Sequence, residues 1–225
     1  MANMTNKHIG TQTILLPSLP AINAGASVVG KKEAEGPLGG CFDKVIPDEL
    51  NGQNTFELAE RQLYLSALET CMEKGGVTRG TVQFMLGGDL LNQIICASFS
   101  ARALAIPFVG LYGACSTMAE SLCLGGMLVD GGFAQNVLCA ASSHFCTAER
   151  QYRFPLEFGS QRTPTAQWTV TGAGASLVSA STSEQTLARI ASVTIGRVID
   201  MGITDANNMG AAMAPAAADT LLAHL

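Results

Sequence analysis

The sequence is short of charge, of histidine and of long apolar runs, and each shortage excludes something. Charged residues fill only 14% of 225 positions, so nearly every element must bury at least one face. The net charge of −5 lacks the basic excess that a nucleic-acid partner requires. The three histidines, His8, His144 and His224, and the absence of any C-x-x-C leave no zinc-like spacing. The longest apolar candidates, 90–104 and 116–129, are broken by Asn92, Gln93, Arg102, Glu120 and a Gly125-Gly126 pair. Neither provides the run of about 20 apolar residues that a spanning helix needs, so no transmembrane helix is expected. The first ten residues carry one lysine and no apolar core, and Pro17 and Pro20 cut Ile14-Leu15-Leu16 short. No signal peptide is expected.

What is plentiful is apolar and small. Hydrophobic residues make up 48%, with 24 glycines and a mean hydropathy of +0.27, the profile of a multi-layer α/β protein. Seven cysteines, Cys41, Cys71, Cys96, Cys115, Cys123, Cys139 and Cys146, read as reduced and mostly buried thiols in a cytosol-like compartment.

Along the chain, 26–30 reads as a first strand and 31–54, rich in Gly, Pro, Asp and Asn, as a long loop. Thr55 can cap a helix to about Lys74, on which Phe56, Ala59, Leu63, Ala67 and Cys71 recur at helical spacing. Strands are predicted at 82–86, 108–111, 137–141 and 170–180, with a helix at 91–104. After a sharp turn at Gly113, a helix that is apolar nearly all round should be packed on both sides. The alternation means a parallel or mixed sheet with crossover helices. Ala26-Ser27-Val28 is echoed by Ala191-Ser192-Val193, and each is followed by a loop and a helix-forming stretch. The echo is short enough to be either composition or a true repeat. As a repeat, it divides the chain into a first half at 1–188 and the opening of a second at 189–225.

Three segments then carry a resemblance: Val109-Gly-Leu-Tyr-Gly-Ala-Cys115-Ser-Thr-Met-Ala-Glu, the strand at 137–141, and Thr171-Gly-Ala-Gly-Ala-Ser-Leu-Val178. In this order they resemble the nucleophile turn, the following strand and the glycine-rich closing strand of the thiolase and ketoacyl synthase superfamily. The stretch from Ala141 through His144 to Pro155, continued from Gln161 to Gly172, is similar to the stage V sporulation protein AD family of endospore formers. The resemblance implies a thiolase-like α-β-α-β-α fold with duplicated halves, of which the second is incomplete here, in a chain truncated at its carboxyl end.

The implied chemistry centres on Cys115. At the head of a helix the free amides and the dipole favour a thiolate, which in related condensing enzymes takes the acyl group from a thioester. Cys115 reads equally as a small residue that fits a tight turn. The superfamily draws its base from the second half, which leaves His144, at the carboxyl edge of the sheet, as base for Cys115, as ligand contact or as a histidine satisfying local backbone. Arg150, Arg153 and Arg162 share a long loop with Tyr152, Phe154, Phe158 and Trp168. Guanidinium forks and aromatic faces suit a flat dicarboxylate, although such a loop can also be solvated and packed on its own aromatics.

The expected ligand contacts are Cys115, Ser143, His144, Phe145, Arg153, Arg162, Trp168, Asp89 and Asn92, with no metal and no cofactor. By resemblance the ligand is dipicolinic acid, alone or as its calcium complex, and the role is its uptake into the developing spore and its release in germination. The protein would be made in the forespore cytoplasm. It would act peripherally at the spore inner membrane beside membrane proteins of the same transport system, as a homodimer when full length. The alternative is a thioester-dependent acyltransferase using Cys115.

Overall fold

The computed structural model describes residues 6–152, 168–205 and 208–225. Its first long helix follows directly from the sequence. Thr55 is extended and its hydroxyl accepts from the Leu58 amide, so the helix begins at Phe56 and runs to Lys74, a cap worth about 1 kcal/mol. Leu63, Tyr64, Ala67, Leu68 and Cys71 on one of its faces are fully buried or nearly so.

In chain order the strands are β1 (His8–Ile9), β2 (Thr13–Leu15), β3 (Ala21–Val29), β4 (Lys44–Val45), β5 (Phe84–Gly88), β6 (Phe108–Gly110), β7 (Asn136–Ser143), β8 (Gly172–Ser179), β9 (Ala188–Arg189) and β10 (Ser192–Thr194). The helices are α1 (Lys31–Ala34), α2 (Phe56–Lys74), α3 (Ile95–Leu104), α4 (Thr117–Asp130), α5 (Phe145–Tyr152) and α6 (Met209–His224). A seven-stranded mixed sheet has the order β4-β3-β8-β7-β5-β6, with β9 beside β3, and a three-stranded sheet has the order β1-β2-β10.

Alternation along the strands builds two cores. Met85, Leu138, Ala140 and Leu177 face α2 and α3, whereas Leu86, Val137, Cys139 and Val178 face α4. On that second side α4 lies between the two sheets. A Cβ at Gly125 would stand 2.7 Å from Cys139 Sγ, and one at Gly126 would stand 2.9 Å from Leu16 Cδ1 and 3.3 Å from Ile190 Cδ1. The glycine pair therefore lets a helix pass between two layers, as its all-round apolar sequence predicts. Beyond it, α6 packs on the small sheet, where Thr13 Oγ1 donates to Ala223 O and Thr194 Oγ1 meets His224 Nδ1.

Several boundaries differ from expectation. The first strand starts at Ala21 rather than 26, and the stretch taken as one long loop contains α1 and β4. The helix expected from Leu91 begins at Ile95, because Gln93 and Ile94 adopt left-handed backbone angles, φ 60° and 47°. His8 lies in β1, opposite Ile14 of β2. Ala188 and Arg189 together form β9, which pairs with β3. No described helix is long and apolar enough to cross a membrane.

Candidate functional site

Sheet topology decides which loops meet. β3 and β7 are both antiparallel to β8, and their last residues, Val29 and Ser143, both lie opposite Gly172. β5 is parallel to β7 and to β6. The carboxyl ends of β3, β5, β6 and β7 therefore share one edge, the edge at which α/β sheets place ligands. Of the expected residues, Asp89, Asn92, Cys115, Ser143, His144, Phe145 and Trp168 follow or flank those strand ends. Arg153 and Arg162, with Phe154 and Phe158, lie outside the described residues, and for Arg150 and Tyr152 only the helical backbone is described.

Cys115 sits in a single 3-10 turn, Ala114–Ser116, that leads into α4. Ala114 is left-handed at φ 47°. The turn is closed by Gly113 N donating to Thr117 Oγ1 at 3.1 Å and by Ser116 Oγ donating to Gly113 O at 2.8 Å. The thiol is exposed. The Glu120 carboxylate reaches back toward this turn, where its Oε2 would stand 2.6 Å from a Cβ at Gly113. Two hollows, of about 540 and 340 Å³, lie elsewhere: one is bordered by Lys44, Ile46 and Gln62, the other by Cys41, Asp43 and Lys74. Cys115 lines neither.

The corner between β7 and α5 is tightly held. His144 is fully buried. Its Nε2 donates to Glu49 O at 2.8 Å and its Nδ1 accepts from Cys146 N at 3.2 Å. This pattern fixes the neutral Nε2–H tautomer, and burial holds the ring's pKa below the usual histidine range. The base role expected for His144 has no geometric support, since both ring nitrogens are engaged and no hydrogen bond joins it to Cys115. Its ring stands between Phe56, at 5.5 Å, and Phe145, at 5.8 Å. Phe145 contacts Trp168 at 4.7 Å, and Lys32 Nζ lies 4.4 Å over the indole. Ser143 Oγ donates to Val170 O, tying β7 to the segment before β8.

Carboxylates surround this corner. Glu33 Oε1 accepts from Thr171 N at 3.1 Å, while Glu33 Oε2 and Glu49 Oε2 are buried without a hydrogen-bond partner. Glu49 Oε2 lies 3.7 Å from His144 Nε2, and burial, then Glu33 and Asp48, push its pKa up. Asp89, expected as a ligand contact, follows β5 with its side chain turned inward. It is 2% exposed, and its oxygens accept from Leu91 N at 2.9 Å and Ala97 N at 2.7 Å. Asn92 is exposed on the turn before α3.

Glu60, which sequence reasoning missed, is buried behind the corner, with its oxygens 2.9 Å from Ser142 Oγ and 2.7 Å from Thr147 Oγ1. Glu60, Asp89 and Cys96 bring their oxygens and sulfur within 4.8 Å of one another. Each has a protein hydrogen-bond partner outside the set: Ser142 Oγ for Glu60, the Ala97 amide for Asp89 and the Glu57 carbonyl for Cys96.

The comparisons agree with this architecture. The family model described as Stage V sporulation protein AD matches residues 10–225. A stage V sporulation protein AD of Bacillus subtilis (strain 168) is 45% identical over 218 residues, 97% of this chain and 64% of that protein. The chain thus spans slightly less than two thirds of that relative's length. Among solved structures, cerulenin-bound OleA of Xanthomonas campestris gives a TM-score of 0.59 at 14% identity, covering 91% of this chain and 70% of that one. A 3-oxoacyl-(acyl carrier protein) synthase III of Xanthomonas oryzae pv. oryzae gives 0.55 at 15%, covering 91% and 72%. These distant likenesses show the fold alone. With a thiolase-like fold, a cysteine turn at the head of its central helix and a family match along almost its whole length, the chain belongs to the stage V sporulation protein AD family.

Proposed function

We propose that the chain is a binding protein for dipicolinic acid or its calcium complex, serving uptake into the developing spore and release in germination. The observation that carries this reading is that, among the described residues, no base is hydrogen-bonded to Cys115. His144 is neutral and engaged on both nitrogens, and the Glu120 carboxylate stands by the turn where an acyl-transfer oxyanion would need amide donors and no negative charge. The edge that remains offers Lys32, Trp168 and Phe145, an ammonium beside aromatic faces, which suits a planar ring carrying carboxylates. Calorimetric titration with dipicolinate and with its calcium complex tests the reading, and heat from neither would end it.

The same reading places the protein peripherally at the spore inner membrane, beside membrane proteins of its transport system. It makes the full-length protein a homodimer, for which the outer strand β6 and the exposed side chains Ile95, Phe99 and Val109 offer an apolar face. Light scattering of the full-length protein tests the dimer. A second reading, thioester-dependent acyl transfer, is favoured by the exposure of Cys115 at the amino end of α4. A mass increase at Cys115 after incubation with acyl thioesters, lost in Cys115→Ser, would establish it.

A further inference from the structure

Glu60 and Asp89 are both buried and bring carboxylate oxygens within 4.8 Å of each other, with no cation paired to either among the described residues, so ionisation of both is disfavoured. Thr147 Oγ1 lies 2.7 Å from Glu60 Oε2 and 2.9 Å from His144 O, two acceptors for the single proton a hydroxyl carries. With a proton on Oε2, Glu60 donates to Thr147 Oγ1 and the threonine hydrogen turns to His144 O, which also accepts the Thr147 and Ala148 amides. Ser142 Oγ then donates to Oε1, at 2.9 Å. Burial pushes the neighbouring acid, Asp89, upward too, but its oxygens accept the backbone amides of Leu91 and Ala97, which favour the ionised form in a way the hydroxyl contacts of Glu60 do not.

We propose that Glu60 is a positioning residue held as the neutral acid, whose proton on Oε2 closes the hydrogen-bond chain that fixes the corner bearing Ser143, His144 and Phe145. The function proposed above enters only in what this corner binds; the protonation itself stands apart from it.

Every element packed around Glu60 agrees. Its own helix presents Glu57, Arg61 and Tyr64; the turn into α3 presents Asp89 and Cys96; the corner presents Ser142, Thr147 and the His144 carbonyl. No lysine or arginine pairs with Glu60 or Asp89 among the described residues. Arg61 acts on Cys96 instead. Burial, with Asp89 and Glu57 adding to it against the two hydroxyl contacts, pushes Glu60 up to about 7. The link then operates below neutral pH. As pH rises past that point the proton leaves, the Thr147 hydroxyl turns from His144 O to Glu60 Oε2, and a second buried negative charge appears beside Asp89.

The test needs no ligand. In the 225-residue chain labelled with [13C]carboxyl glutamate, the Glu60 carbon should titrate with a midpoint near 7, against 4.5 for an ordinary glutamate. Emission of the single tryptophan, Trp168, which contacts Phe145 on the same corner, should follow the same midpoint. Glu60→Gln offers an N–H where the acid offers O–H, so it should fold and lose the emission step, whereas His144→Gln should keep that step. A Glu60 carbon titrating near 4.5, or an emission step that survives Glu60→Gln, would overturn the proposal. If Glu60→Gln fails to fold, the wild-type carbon midpoint alone decides. Failure of dipicolinate to bind would overturn the function proposed above without moving that midpoint.

Discussion

His144 and Glu49 are joined through a ring nitrogen and a backbone carbonyl 2.8 Å apart, so a side chain after β7 fastens the loop between β4 and α2. Because burial lowers its pKa, His144 should remain neutral at pH 7. The unfolded chain takes a proton first as pH falls below about 6.5, so this residue's contribution is present above that value and declines through the acid range. Nitrogen shifts of the ring should report the Nε2–H tautomer and a midpoint below 6.5. His144→Ala strands a buried carbonyl and amide, and should cost about 2 kcal/mol or more in urea denaturation.

Glu60 should act in the opposite sense. A folded pKa raised from 4.5 to about 7 gives stability that is complete below the unfolded value and lost as pH climbs through 7. The difference is about 3 kcal/mol between pH 4 and pH 8. Measured as wild type minus Glu60→Gln, the urea stability should fall across that interval, and a flat difference would refute it.

Gly88→Ala should be severely disruptive. A Cβ there would lie 1.9 Å from the Leu111 carbonyl oxygen, backbone that cannot rotate away, and the expected loss is about 3 kcal/mol or more. Gly80→Ala meets nothing within 4 Å and serves as the control. Because Leu111 leads directly into the Cys115 turn, Gly88→Ala should also alter the rate at which Cys115 is alkylated.

Alkylation of the folded chain should separate the thiols by burial. Cys41 and Cys115 are exposed, while Cys71, Cys96, Cys139 and Cys146 are buried. Burial pushes Cys71 up to about 12, and Cys96 and Cys139 upward as well. Iodoacetamide with mass mapping should find Cys41 and Cys115 first, and Cys96 and Cys139 only after unfolding.

Local signals were legible in the sequence and distant pairings were not. Thr55 followed by a helical repeat marked α2 because a cap and a periodic face are properties of neighbouring residues. The start of β3, Ala-Ile-Asn-Ala-Gly, has little β-branched character; it is a strand because Ala21 and Ile22 lie opposite Ser179 and Val178. At the site, Cys115 and His144 were visible as a turn and a strand end. Glu60 was not, because a glutamate in α2 reads as solvent-facing until Ser142, 82 residues away, comes to meet it. Lys32, Glu33 and Glu49 were hidden in what read as one loop.

The small sheet has a kinetic consequence. Thr13 and Thr194 touch at 2.9 Å although 181 residues separate them. Closing so long a loop gains little until the large sheet and α4 have already drawn both termini together. β1, β2, β10 and α6 should therefore assemble last, as a clasp over α4, and be the first amides to exchange with deuterium when the native state breathes.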